Sequence, residues 1–196
     1  MRGESVRPVF TAHLKDEPVS AKKRQIGKTR VFLGAPADWS LVVRRFFLGH
    51  VRLIQNNRLH FETAVGIVAE SREWTTLYEY LTIHGVDRMV AGDYKSFDKR
   101  MSPAIIIEAF RILITIAERS GNFDPEEIQA MWGIAFDVAH PLVNYFGDCL
   151  TFYGSNPSGH PLTVIINSLV NSLYVRYAYV CAGECDPSDR DWETPK

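Results

Sequence analysis

Residues 86–103 constrain this chain more than any other stretch. Val86 to Val90 is a short, mostly apolar run suited to a buried strand. Ala91-Gly92-Asp93-Tyr94-Lys95-Ser96-Phe97-Asp98-Lys99-Arg100-Met101-Ser102-Pro103 follows, and Ser102-Pro103 opens a helix with proline where its missing N–H costs nothing. Strand, acid, turn, acid, helix places Asp93 and Asp98 at the lip of a sheet. An acid there can bind a divalent metal, and the next can hydrogen-bond a ligand. The same pattern also suits a strand cap and a helix cap, so the stretch leaves both roles open.

The charge distribution narrows the choice of partner. Residues 1–58 hold twelve Lys/Arg and four Asp/Glu, a net of +8 within a chain whose total is −1. A basic first third suits an anionic partner such as nucleic acid or nucleotide phosphate, and equally a solvated basic face. With 46% hydrophobic and 23% charged residues, the 196-residue chain can build a core. Cys149, Cys181 and Cys185 lack the spacing of a zinc site or disulfide framework, which fits a reducing compartment. No signal peptide is evident. The apolar stretch Leu162–Ala182 is interrupted by Asn167, Ser168, Asn171, Ser172 and Arg176, so it is expected as a buried helix rather than a membrane span.

In chain order, residues 8–14 and 31–33 are expected as strands joined by a basic loop carrying Lys15, Lys22, Lys23, Arg24, Lys28 and Arg30. On an alternating strand Lys28 and Arg30 would share a face and could clamp a triphosphate; an edge hairpin defended by lysine is the alternative. Asp38 is expected to cap a helix carrying Trp39, Val43, Phe46 and Phe47. Residues 70–84 form a further helix, with Trp74, Leu77, Tyr78 and Leu81 as a core-facing stripe and Gly85 as C-cap. Residues 103–119 are a strongly amphipathic helix closed by Gly121, and Asp124-Pro125-Glu126-Glu127 starts another that runs to about Ala139. Residues 142–146 and 150–153 alternate as a hairpin around Gly147-Asp148. Finally, the Gly/Pro/Ser loop from Gly154 to Pro161 runs into a long helix. There Thr163 and Asn167, four apart, share one face and need polar partners if buried.

Taken together, these residues resemble the RNA-directed RNA polymerases of picorna-like positive-strand RNA viruses, the dicistrovirus type most closely. Lys15-Asp16-Glu17 through Lys28-Thr29-Arg30 looks like motif F of the fingers. Asp93-x4-Asp98 with Ser102-Pro103 looks like motif A of the palm. Pro157-Ser158-Gly159-His160-Pro161-Leu162-Thr163-x3-Asn167-Ser168 looks like motif B, the most specific of the three. The ordered set spans essentially the whole chain.

The resemblance implies an α+β right-hand polymerase: fingers plus the first part of the palm, with an incomplete antiparallel palm sheet and flanking helices. It implies fingers over residues 1–86, palm over 87–120, a fingers insertion over 121–153, palm over 154–183 and a linker over 184–196. Asp93 would be the catalytic ligand of a Mg²⁺ pair, with Mn²⁺ as a substitute. Asp98, Ser158, Thr163 and Asn167 would recognise the ribose of the incoming nucleoside triphosphate. Lys15, Lys23, Lys28 and Arg30 would contact triphosphate or template, and Gly159 would belong to the flexible motif B loop. The implied reaction is two-metal nucleotidyl transfer to an RNA 3′ end on an RNA template. The implied setting is the host cytoplasm, in a viral polyprotein or replication complex alongside other replication proteins. Motif C, a Gly-Asp-Asp, does not occur in the sequence, so a fragment inactive alone is expected. A reverse-transcriptase-like polymerase or a non-catalytic nucleic-acid-binding module are the alternatives, and Asp98 with the Ser158…Asn167 pattern disfavours the former.

Overall fold

The computed structural model describes residues 7–183. Two N-terminal strands, β1 (Val9–Leu14) and β2 (Val31–Gly34), pair antiparallel, with Leu14 opposite Val31. The basic segment between them folds in part as a short helix, α1 (Ala21–Gln25), capped by Ser20. Strand β3 (Leu142–Tyr145) adds to β1 in parallel, and β4 (Asp148–Thr151) returns antiparallel to β3. The four-stranded sheet therefore runs β2-β1-β3-β4 and is mixed. The β3–β4 turn puts Phe146 and Gly147 at positive φ, and the Asn144 side chain accepts the Gly147 N–H.

Five longer helices build the body. Helix α2 (Ala37–Asn56) buries Trp39, Val43, Phe46, Phe47, His50 and Ile54 along one side. Asp38 is not its cap: Pro36 holds that position, and Asp38 sits in the first turn and accepts the Trp39 N–H at 2.8 Å. Helix α5 (Pro103–Ser120) buries six apolar residues at helical spacing and ends on Gly121 at φ 67°, as its sequence predicts. Helix α6 (Pro125–Ala139) begins with a full capping box between Asp124 and Glu127. Helix α5 packs against α6 and against α7 (Thr163–Cys181). Phe47 and Phe110 meet edge-on in the core at 5.6 Å, and Trp39 Nε1 donates to Asp137 at 3.1 Å.

Three expectations are corrected. Residues 86–90 do not form a strand. Val86–Arg88 is one 3₁₀ turn (η1), the chain to Ser96 is irregular, and Val90 is 98% exposed. A strand needs a neighbour to take its backbone N–H and C=O groups, and none of the described strands pairs with this segment. Correspondingly, the sheet that is formed is mixed, with no antiparallel palm sheet among the described residues. Helix α3 (Arg72–Leu81) ends earlier than expected, at Leu81, with Thr82 rather than Gly85 as C-cap. Its stripe is not core: Trp74, Tyr78 and Leu81 all remain more than half exposed. Periodicity defines an apolar face but not the element that covers it.

The loop after α2 is tied to α7. Arg176 forms a fork on Glu62 at 2.6 and 2.7 Å, Ser172 donates to the same carboxylate, and Thr63 donates to Ser168. The Arg176 guanidinium holds the Glu62 carboxyl below its ordinary value. Cys149 and Cys181 carry free thiols, while Cys185 and the 184–196 linker lie outside the described residues. No helix among the described residues is long and apolar enough to cross a membrane.

Backbone meets backbone closely where α5 joins the loop before α7. Gly154 has φ 83°, and a Cβ there would lie 2.2 Å from the Met101 carbonyl oxygen. Gly154→Ala is therefore expected to cost about 3 kcal/mol, from backbone strain plus overpacking. Urea unfolding checks this.

Candidate functional site

The site is organised by the loop of residues 154–162. Its backbone is bonded on two sides. Toward α4 (Phe97–Arg100), the Asn156 N–H donates to the Asp98 carbonyl at 2.9 Å, and the Ser155 N–H donates to the Met101 carbonyl at 3.1 Å. Toward the sheet, the Ala35 N–H donates to the Gly159 carbonyl at 3.1 Å, extending the parallel bridge between Gly34 and Gly159. A Cβ at Gly159 would stand 2.4 Å from the Leu33 carbonyl oxygen, so this close approach requires glycine. The loop thus joins the strand end, the α4 turn and the start of α7.

A cleft of about 570 Å³ opens beside it. Its walls combine Lys15, Lys23, Lys28 and Arg30 with Asp98 and Ser158, together with Glu17, Tyr94, Ser96 and Lys99. Residues separated by more than 140 positions are thereby brought into one concavity. Lys28 and Arg30 reach it from the turn before β2 rather than from an alternating strand, since β2 begins at Val31. All four cations are exposed. Glu17 is the counter-charge, 3.2 Å from Arg30 and 3.9 Å from Lys15. Exposed pairs of this kind are weak and readily exchanged for another anion.

Asp98 lies at the cleft on α4, one residue beyond Phe97, which stacks on Tyr94 at 4.5 Å and meets Tyr174 edge-on at 6.3 Å. Ser96 supports this turn from the left-handed region, at φ 59°. Asp93 is exposed on the irregular segment and does not line the cleft, although Tyr94 does. Its carboxylate has no hydrogen bond or ion pair among the described residues, which leaves both oxygens open to a hard cation. Magnesium commonly takes one or two carboxylates with substrate phosphates and water. Asp93 fits one such place, and the described residues contain no cluster of three His, Cys, Asp or Glu side chains.

Thr163 and Asn167 both find protein partners. The Thr163 hydroxyl lies 3.0 Å from the Pro157 carbonyl and 2.9 Å from the His160 carbonyl, so it ties the loop to α7. Asn167 Oδ1 accepts from Asn156 Nδ2 at 2.8 Å. Asn156 itself is 1% exposed and lines a smaller apolar pocket of about 390 Å³ with Asp98 and Ser158. It contacts His160, also buried, whose Nε2 is 2.8 Å from Asn156 Oδ1 and whose Nδ1 accepts the Leu162 N–H at 3.3 Å. Glu17 and His160 fall within motifs F and B, but the sequence assigns no site role to them or to Asn156. No periodicity marks a single buried polar side chain in a loop, and a lone Glu amid cations looks like solvated surface.

Residues 1–189 match the family model described as viral RNA-dependent RNA polymerase, and the chain belongs to that family. It is 29% identical over 180 residues to the replicase polyprotein of Cricket paralysis virus, covering 88% of this chain and 10% of that polyprotein. It is 31% identical over 185 residues to the genome polyprotein of Deformed wing virus, covering 92% of this chain and 6% of the polyprotein. With the RNA1 polyprotein of Arabis mosaic virus it shares 32% identity over 165 residues, 84% of this chain and 7% of that polyprotein. The chain thus spans a tenth or less of these relatives. The resemblance drawn from motifs F, A and B is borne out at the level of the family.

Burial pushes the His160 imidazole down to about 3 from 6.5, and burial also lowers His50. Both shifts have one sign. The unfolded chain binds a proton near pH 6.5 that the folded chain refuses, so stability is full above that value and is lost as pH falls toward 3. Between pH 6 and 5 the unfolding free energy should decline, with His160 contributing up to about 1.4 kcal/mol per pH unit. In His160→Gln that share of the slope should vanish while the share of His50 remains, as measured by urea unfolding across this pH range.

Proposed function

We propose that this chain forms the nucleotide-selecting part of an RNA-directed RNA polymerase within a viral replicase polyprotein in the host cytoplasm. Residues 1–86 and 121–153 would be fingers, 87–120 and 154–183 palm, and 184–196 a linker toward motif C. The observation that carries this is the single cleft where Lys15, Lys23, Lys28 and Arg30 face Asp98 and Ser158. In favour of the domain assignment, one sheet joins residues 9–34 to 142–151, whereas α5 and α7 pack on each other.

A nucleoside triphosphate needs cations for its phosphates and polar groups for its sugar. Arg30 offers a planar fork for phosphate oxygens, and Lys23 and Lys28 offer point charges. Asp98 can only accept hydrogen bonds, so it would accept one from a ribose hydroxyl. Ser158 can both donate and accept beside it. A deoxynucleotide leaves these groups without a partner, which disfavours it. Gly159 lets the loop approach the strand end closely enough to keep Ser158 at the cleft. RNA template and primer would follow the basic N-terminal third, and other viral replication proteins would join the assembly.

Two-metal nucleotidyl transfer is the reaction class. Asp93 would hold Mg²⁺, with Mn²⁺ as substitute, and the bound metal would neutralise charge on the reacting phosphate. Since the sequence contains no Gly-Asp-Asp, the remaining carboxylates are assigned to another part of the polyprotein.

In the replicase polypeptide that carries this chain, Asp98→Ala is expected to lower ribonucleotide over deoxynucleotide selectivity by about tenfold to a hundredfold. Asp93→Asn should abolish incorporation. Labelled-nucleotide incorporation on an RNA template checks both. Unchanged selectivity in the first, or intact synthesis in the second, would remove that residue from its role.

A further inference from the structure

The hydrogen bonds around Asn156 can be read in one direction only. The Leu162 N–H can only donate, so His160 Nδ1, 3.3 Å away, carries the lone pair. The neutral ring then has its proton on Nε2, which donates to Asn156 Oδ1 at 2.8 Å. At the other end, the Thr163 carbonyl can only accept, and Asn156 Nδ2 lies 3.2 Å from it. The second Nδ2 hydrogen goes to Asn167 at 2.8 Å, so the Asn167 atom on that side is Oδ1. Two backbone groups thus anchor the chain of bonds at both ends, and every polar atom of the Asn156 side chain is used. Asn167 Nδ2 has no hydrogen-bond partner among the described residues.

We propose that Asn156 and His160 are positioning residues that hold the Asn167 amide with its N–H₂ end toward the bound nucleotide, so that Asn167 reads a ribose hydroxyl as an acceptor. This rests on the polymerase function proposed above. The chemistry is complementary. Asp98 only accepts, and the free end of Asn167 only donates. A hydroxyl can satisfy both at once, and a sugar C–H₂ can satisfy neither. Asn156 also couples the two readers, because its backbone N–H holds the Asp98 carbonyl while its side chain holds Asn167. Without the His160 donor, Asn156 Oδ1 would be buried without a partner, and the amide could turn over. Asn156 Oδ1 would then face Asn167 Oδ1, acceptor against acceptor, and the orientation of Asn167 would be lost.

Two substitutions separate positioning from packing. His160→Gln and His160→Phe both remove the imidazole acceptor of the Leu162 N–H, but only glutamine keeps a donor for Asn156. In the replicase polypeptide carrying this chain, ATP over 2′-deoxyATP incorporation is expected to fall about tenfold in His160→Phe and to stay within about twofold of the parent in His160→Gln. Asn156→Leu, which removes the donor to Asn167 itself, should match the Phe variant and serves if the Phe ring prevents folding. Full discrimination in a folded His160→Phe or Asn156→Leu protein overturns the positioning role alone. A parent polymerase without ribonucleotide preference overturns the proposed ribose reading instead. Independently of nucleotide, long-range ¹H–¹⁵N spectra of the 196-residue chain should show His160 as the neutral Nε2–H tautomer; an Nδ1–H ring overturns the proposal.

Discussion

The hydrogen bonding of Asn156 is the constraint on which the rest of the site depends. A side chain 1% exposed in a loop must find partners for one acceptor and two donors. It does so by drawing together elements that share no sequence neighbourhood: the α4 backbone, the His160 ring, the first turn of α7 and Asn167. Each bond is modest in net terms, yet leaving any of them unmade inside the protein costs more than making it contributes. The loop is therefore held in one arrangement by avoidance of unpaired groups as much as by attraction.

That arrangement is possible because backbone meets backbone on both sides. Gly154 lies against the Met101 carbonyl and Gly159 against that of Leu33, at separations that exclude a Cβ. Around this junction the apolar core supplies rigidity. Trp39 meets Phe10 edge-on at 5.3 Å and the His160 ring at 6.1 Å, so the buried imidazole is packed as well as bonded. The contrast with the segment before α4 is physical. Residues 89–96 have few partners and remain exposed, Asp93 among them, whereas Asp98 is fixed by its turn and by the loop bonded to it.

The electrostatics of the cleft follow the same division of labour. Exposed lysines and Arg30 line one wall, where Glu17 pairs with Lys15 and Arg30. The side of the cleft at Asp98 and Ser158 is instead built from short side chains, where donor and acceptor identity matters more than net charge.

Much of this was determined by the sequence alone. The positions of α2, α5, α6 and α7, the β3–β4 hairpin and the order of motifs F, A and B follow from local periodicity, caps and glycines, because those signals act over a few residues. The residues facing the cleft were legible too, since Lys15 through Arg30, Asp98 and Ser158 carry the family motifs. Only the tertiary structure decided which polar groups are buried. Asn156 and His160 look like ordinary loop residues until the strand end and α4 close over them. It also decided that residues 86–90 take no ladder and that the α3 stripe stays exposed, because strand pairing and burial depend on partners that a local pattern cannot name.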